Sequence, residues 1–185
     1  MSRMESRRPV TIDDMYYLPK DGRKYELVDG AIAVSPSSML RGEIVTKISH
    51  IFATFLDQHP VGKVYGDSAG LIFPTGNLRL PDVSFARSDK LRQLRRGLSP
   101  ESFDRFVPDL AVEVLSPADR PRRLADRIGE FLECGVQIVW LVDPQSATIT
   151  VYRSLSNIHQ FASKDIISAE PLLPGFACPV SRIFQ

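Results

Sequence analysis

Leu80-Pro81-Asp82-Val83-Ser84-Phe85 and, after a basic connection, Asp109-Leu110-Ala111-Val112-Glu113-Val114-Leu115-Ser116-Pro117 form the stretch whose reading decides the fold. Each half is a short apolar run that carries one carboxylate. A carboxylate within an apolar strand is costly to bury unless a cation or hydrogen bonds compensate it. Alternation puts Glu113 and Leu115 on one face of their strand and Val112 and Val114 on the other. If the two strands pair as neighbours, Asp82 and Glu113 can converge on one hard cation, as metal-assisted phosphodiester hydrolysis requires.

The second half also fixes the topology. Pro121 to Glu133 has Leu124, Ile128, Phe131 and Leu132 at helical spacing, with Gly135 as its stop. Gln137 to Val142 then reads as a second buried strand. Strand, helix and strand in short succession predict a parallel pair with a right-handed crossover.

Upstream, Thr11 with Asp14 predicts a capped short helix. Asp29-Gly30 between Lys24–Val28 and Ala31–Val34 predicts a type I′ hairpin. Ile44, Ile48, Ile51, Phe52 and Phe55 give the buried stripe of a helix of about twenty residues. Short strands follow at 63–65, 70–73 and 80–86. Residues 88–96 read as a short helix or a loop. Thr148 to Arg153 and Asn157 to Ala162 predict a second hairpin, and Leu172 to Phe176 a C-terminal closure. The expected organisation is a flexible tail at 1–10 and a single α/β domain at 11–185. It is a mixed sheet flanked by helices, with hairpins at both edges.

Composition bounds the function. The chain has 185 residues, 43% hydrophobic and 24% charged, in the range of an ordinary globular domain. No apolar run reaches membrane-spanning length, and no secretory signal core follows the basic N-terminus. Two cysteines are too few for a disulfide framework, so a cytoplasmic setting with reduced thiols is expected. Lys plus Arg number 23 against 22 Asp plus Glu, a net charge of +1 and a mild argument against a dedicated nucleic-acid binder. The charge is clustered, however. Lys90, Arg92, Arg95 and Arg96 precede Glu113, and Arg123 lies among the arginines after it. These five are the candidates for phosphate contact, against the alternative that a charge run is a solvated face.

Taken with Tyr25-Glu26-Leu27-Val28-Asp29-Gly30, Gly135-Val136, Trp140-Leu141-Val142-Asp143-Pro144, Val151-Tyr152-Arg153 and Leu173-Pro174-Gly175, the two acid-bearing blocks resemble a known family. Pro81-Asp82 and Glu113-Val114-Leu115 are similar to the PD-(D/E)XK nuclease superfamily. The order of blocks resembles its Uma-type restriction-endonuclease-like proteins. The resemblance implies a restriction-endonuclease-like fold and a Mg²⁺- or Mn²⁺-dependent endonuclease acting on DNA. It also implies Asp82 and Glu113 as metal ligands, the Val114 carbonyl as a further ligand and Glu26 as an auxiliary acid.

The chain departs from that pattern where a lysine is expected two residues after the second acid. Leu115 stands there. On the following helix, where the family usually has its lysine, Arg127 stands. Arg123 replaces an aspartate one turn earlier, and Arg41 a histidine at the start of the long helix. Arg127 can stabilise phosphate charge but cannot readily act as a base.

Two further readings stand beside the nuclease. One is a catalytically degenerate module kept for binding or dimerisation, and the other a metal-dependent hydrolase of a small phosphorylated molecule. Asp82 can also be a turn former, Glu113 half of a structural ion pair, and Arg127 a helix-edge residue paired with Glu130 or Glu113. Apolar hairpin edges point to a homodimer.

Overall fold

A computed structural model describes residues 8–35, 38–94, 103–117 and 119–185. In chain order the elements are α1 Ile12–Met15, β1 Lys24–Val28, β2 Ala31–Ser35, α2 Met39–Gln58, β3 Gly62–Gly66, β4 Leu71–Ile72, β5 Leu78–Arg79 and β6 Val83–Arg87. There follow α3 Ser88–Gln93, β7 Asp104–Arg105, β8 Leu110–Val114, α4 Pro121–Glu133, β9 Ile138–Asp143, β10 Thr148–Ser154, β11 Asn157–Ala162, β12 Ile166–Ser168, β13 Ala177–Pro179 and α5 Ser181–Phe184.

The larger sheet has the order β11-β10-β9-β8-β6-β3. At its centre β8 runs parallel to β9 and antiparallel to β6, with Val83 opposite Val112. The acid-bearing segments are therefore neighbours, and the β8–α4–β9 unit gives the expected parallel pair. α2 covers one face of the sheet. Ile44, Ile48, Phe52 and Leu56 pack on Val112, Val114 and Trp140. α4 lies over the other face, where Ile128 and Phe131 meet Ala111, Val139 and Leu141. Each fully buried side chain of this kind contributes roughly 1.5–3 kcal/mol. Together those of α2 offset the several kcal/mol of desolvating one arginine, Arg41, on the same stripe.

A second sheet, β2-β1-β5-β4-β7, corrects the expectation of one sheet with hairpins at both edges. The C-terminal hairpin does edge the larger sheet, but the N-terminal hairpin edges this smaller one. Its turn follows the sequence, with Asp29 at φ 50° and Gly30 at φ 74° between Val28 and Ala31. The expected strand at 80–86 also starts late, at Val83. β5 ends at Arg79 and β6 begins at Val83, so Leu80-Pro81-Asp82 passes from one sheet to the other. Pro81 has no N–H to give to a ladder. The C-terminal closure is a third pairing, β12 with β13, followed by α5.

Residues 1–7 of the N-terminal tail lie outside the described residues. Arg8 is bonded to Asp14, and Val10 donates its amide to the Gly30 carbonyl at 2.8 Å. Among the described residues no helix is long and apolar enough to cross a membrane.

Candidate active site

The crossing at Leu80–Asp82 brings three buried acids together. β6 begins only at Val83, which leaves the Val114 amide beyond the β6–β8 ladder. The Asp82 carboxylate takes it, with Val114 N–H donating to Oδ2 at 2.8 Å, while the Asp82 amide donates to the Val112 carbonyl at 3.0 Å. Glu26 reaches the crossing from β1, and its Oε1 accepts the Leu80 amide at 2.8 Å. Glu113 projects from β8 toward α4, on the face shared with Leu115, as its alternation requires.

Each acid has its cations. Arg41 stands one turn before Ile44 on the buried stripe of α2, and this register carries it to Asp82. Its Nη2 lies 2.7 and 2.8 Å from the two carboxylate oxygens and its Nε 3.1 Å from Oδ2. Lys24 adds Nζ to Oδ1 at 2.8 Å. Arg127 borders the inward face of α4, where it donates Nη1 to Glu113 Oε2 at 2.7 Å and Nη2 to Glu26 Oε2. Arg79 lies 3.6 Å from Glu26 and donates Nε to Glu130 at 2.7 Å. Glu130 also accepts from Thr75 and Asn77. Arg127 therefore pairs with Glu113, as one sequence alternative had it, but with Glu26 rather than Glu130.

These partners separate the two acids electrically. Burial pushes the Asp82 carboxyl upward, but Lys24 and Arg41 more than offset it and hold it below the usual range. Burial also pushes Glu113 up, to about 7, and Arg127 does not cancel the effect. Arg127 itself is raised: burial works against its charge, and Glu113 and Glu26 outweigh burial.

A cleft of about 750 Å³ lies against this cluster. Glu113, Arg127 and Arg41 line it, facing Ala33 and Ser35 of β2, with exposed Arg123 at its rim. Lys90 and Arg92 sit on α3 and are not among its lining residues. Lys90 lies 3.5 Å from buried Asp109 and 5.4 Å from the Phe106 ring centroid. Arg95 and Arg96 lie outside the described residues. His50, His59 and His159 are exposed.

The donor set is hard oxygen, suited to Mg²⁺ or Mn²⁺. Glu113 offers an open ligand position, because its Oε1 is buried without a hydrogen-bond partner among the described residues. Asp82 differs. Its oxygens already accept from Lys24, Arg41 and the Val114 amide, so a divalent ion fits there only as one of the two cations turns away. Among the described residues no group of three or more His, Cys, Asp or Glu side chains is arranged around a common metal position.

Sequence reasoning missed Lys24 and Arg79, and it noted Glu130 only as an alternative partner of Arg127 and Arg41 only as a departure from a family pattern. Lys24 had a signal. In Lys24-Tyr25-Glu26 the alternation of a strand puts the lysine and the auxiliary acid on one face. Arg79 had none, because its meeting with Glu130 depends on how the smaller sheet docks on α4.

A family model described as "Uma2: Putative restriction endonuclease" matches residues 12–181. Among solved structures, a protein from Anabaena variabilis described as "a putative nuclease belonging to DUF820" shares the fold. Its TM-score is 0.81 at 20% identity, over 95% of this chain and 98% of that one. No curated protein matches the chain.

Proposed function

Because the chain belongs to the Uma2 family of restriction-endonuclease-like proteins, we propose that it hydrolyses DNA phosphodiester bonds in the cleft beside Glu113. The observation that carries this reading is the buried, open Oε1 of Glu113. A buried acceptor left without a partner costs about 1–3 kcal/mol, which a ligand at that oxygen offsets. Asp82 and Glu113, with the Val114 carbonyl, would hold Mg²⁺ or Mn²⁺, which when bound activates water and polarises a phosphoryl oxygen. Glu26 holds both Arg127 and the Leu80 amide, and so fixes the crossing that carries Asp82. Arg127 stays charged and offers a cation to the phosphate without exchanging a proton. Arg123 at the rim, with Lys90 and Arg92 of α3 and with Arg95 and Arg96, contacts the DNA backbone. The test is incubation with supercoiled and linear DNA plus Mg²⁺ or Mn²⁺. Cleavage is expected, and D82A should abolish it; cleavage that persists in D82A defeats the assignment.

The crowding of Asp82 favours a second reading, a module that keeps the fold for binding or dimerisation alone. Calorimetry with Mn²⁺ separates the two. The nuclease gives binding heat that D82A removes, and the module gives none. Exposed Ile32 and Val34 on edge strand β2 and Ile158 on edge strand β11 support a homodimer, which sedimentation velocity would detect.

A further inference from the structure

We infer that Lys24 is a catalytic residue whose ammonium leaves Asp82 to donate a hydrogen bond to the phosphoryl group in the cleft. This rests on the nuclease reading and deepens it. The four acids Glu26, Asp82, Glu113 and Glu130 are matched by the four cations Lys24, Arg41, Arg79 and Arg127. A divalent ion fits at Asp82 only as Lys24 or Arg41 turns away, and the cation that turns is free to meet the phosphodiester.

The cost of release differs among the four. Arg41 grips both oxygens of Asp82 through Nε and Nη2, and turning it away breaks three described contacts. Arg127 spans Glu113 and Glu26, and its departure strips two buried glutamates at once. Arg79 is forked on Glu130. Lys24 makes one described hydrogen bond, from a head with three donors on a flexible stem. When it turns, Asp82 keeps the Arg41 fork and the Val114 amide, so no buried charge is stranded.

Lys24 is also placed for the task. It pairs with Ser35 across the hairpin, and paired residues share a sheet face. Ser35 lines the cleft and Lys24 itself is not among the lining residues, so the ammonium enters the cleft only on leaving Asp82. The side chain of Lys24 retains 12% of its exposure, and its charge acts on both Asp82 and Glu113. In the reaction a water oxygen bonds to phosphorus and the bond from phosphorus to the leaving oxygen breaks. The water loses a proton to solvent and the leaving oxygen takes one from solvent. Lys24 donates a hydrogen bond to a non-bridging oxygen and gives up no proton.

Two measurements test this on the full chain. In single-turnover cleavage of supercoiled DNA with Mn²⁺, K24Q should lower the rate about 10²-fold or more. DNA affinity should change by less than about threefold, since one phosphate contact among several is lost. K24R keeps the charge and guards against misfolding of K24Q. It should cut at least about tenfold more slowly, because a guanidinium forks onto Asp82 and is harder to release. Without metal, the ¹H–¹⁵N signal of the Lys24 ammonium should shift on titration with the dinucleotide thymidylyl-thymidine. If wild type cuts DNA and both variants cut at the wild-type rate, the inference falls and the nuclease reading stands. If wild type cuts nothing, the nuclease reading falls and takes the catalytic role with it. An ammonium signal unmoved by saturating dinucleotide also overturns the inference.

Discussion

Asp82, just before β6, and Glu113, on the neighbouring β8, are both hidden from solvent at 1% and 3% exposure, yet they are held in opposite ways. Asp82 is enclosed by two cations and a backbone amide. Glu113 has half of one arginine and an open oxygen. The difference teaches that burial alone does not set the charge of an acid here; the number of donors aimed at it does. It also divides the labour of the site. The enclosed acid secures the joint between the two sheets, and the open acid has an oxygen to spare for a ligand.

The largest effect should come from breaking the enclosed side. D82N strands Lys24 and Arg41 beside a neutral amide, and removing one partner of a buried ion pair costs about 3–5 kcal/mol. Urea unfolding should show a loss of that order, whereas E113Q should leave stability at neutral pH unchanged or improved. Equal losses in the two variants would erase the distinction.

The next effect is on pH dependence, and the two acids have opposite signs. The folded state raises Glu113 from 4.5 to about 7, so the folded form binds a proton that the unfolded chain has released. Its stabilisation is complete below pH 4.5 and is lost as pH rises through 7, a change of about 3 kcal/mol. Asp82 is lowered, so its stabilisation is present above pH 3.8 and fades as pH falls further. Thermal melts of wild type should therefore fall by several degrees between pH 5 and pH 8, and E113Q should flatten that interval. A flat wild-type profile would mean that Arg127 compensates Glu113 as fully as Lys24 and Arg41 compensate Asp82.

Much of this contrast was legible before coordinates, and the unread part has a definite cause. The periodicity of α2 and α4, the Asp-Gly turn and the β8–α4–β9 unit follow from local pattern, since each is fixed by residues close in sequence. The two acids were found because a lone carboxylate in an apolar strand has few explanations. What enclosed Asp82 was not found. Lys24 and Arg41 reach it across 58 and 41 residues, one from the smaller sheet and the other from α2. Arg41 was read only as a residue at the start of an amphipathic helix, and the docking of that helix turns it into a counter-ion. The passage of Leu80-Pro81-Asp82 between the sheets was missed for a similar reason. Pro81 announces a break, but not that the chain changes sheets there.

Arg41 also gives a finer way to probe the enclosed side. R41Q leaves Asp82 with Lys24 and the Val114 amide, which frees a carboxylate position and adds one negative charge to the cluster. Mn²⁺ affinity measured by calorimetry should rise about tenfold, the 1.4 kcal/mol that part of a screened unit charge supplies at short range. An unchanged affinity would mean that Lys24 alone keeps Asp82 closed to a metal.

The smallest expected effect separates the paired cations of the cluster from those at its rim. Arg123 is exposed where the cleft opens, while Lys90 already has Asp109 and the Phe106 ring as neighbours. R123Q should leave stability within about 0.5 kcal/mol of wild type, as for most surface substitutions. It should reduce the salt dependence of DNA affinity by about one phosphate contact, with the slope read from binding isotherms at several salt concentrations. K90Q should do less to that slope, because its charge is partly spent within the protein. A larger change for K90Q than for R123Q would move the DNA path from the mouth of the cleft toward α3. The cluster's own cations would then lie away from the backbone they are expected to meet.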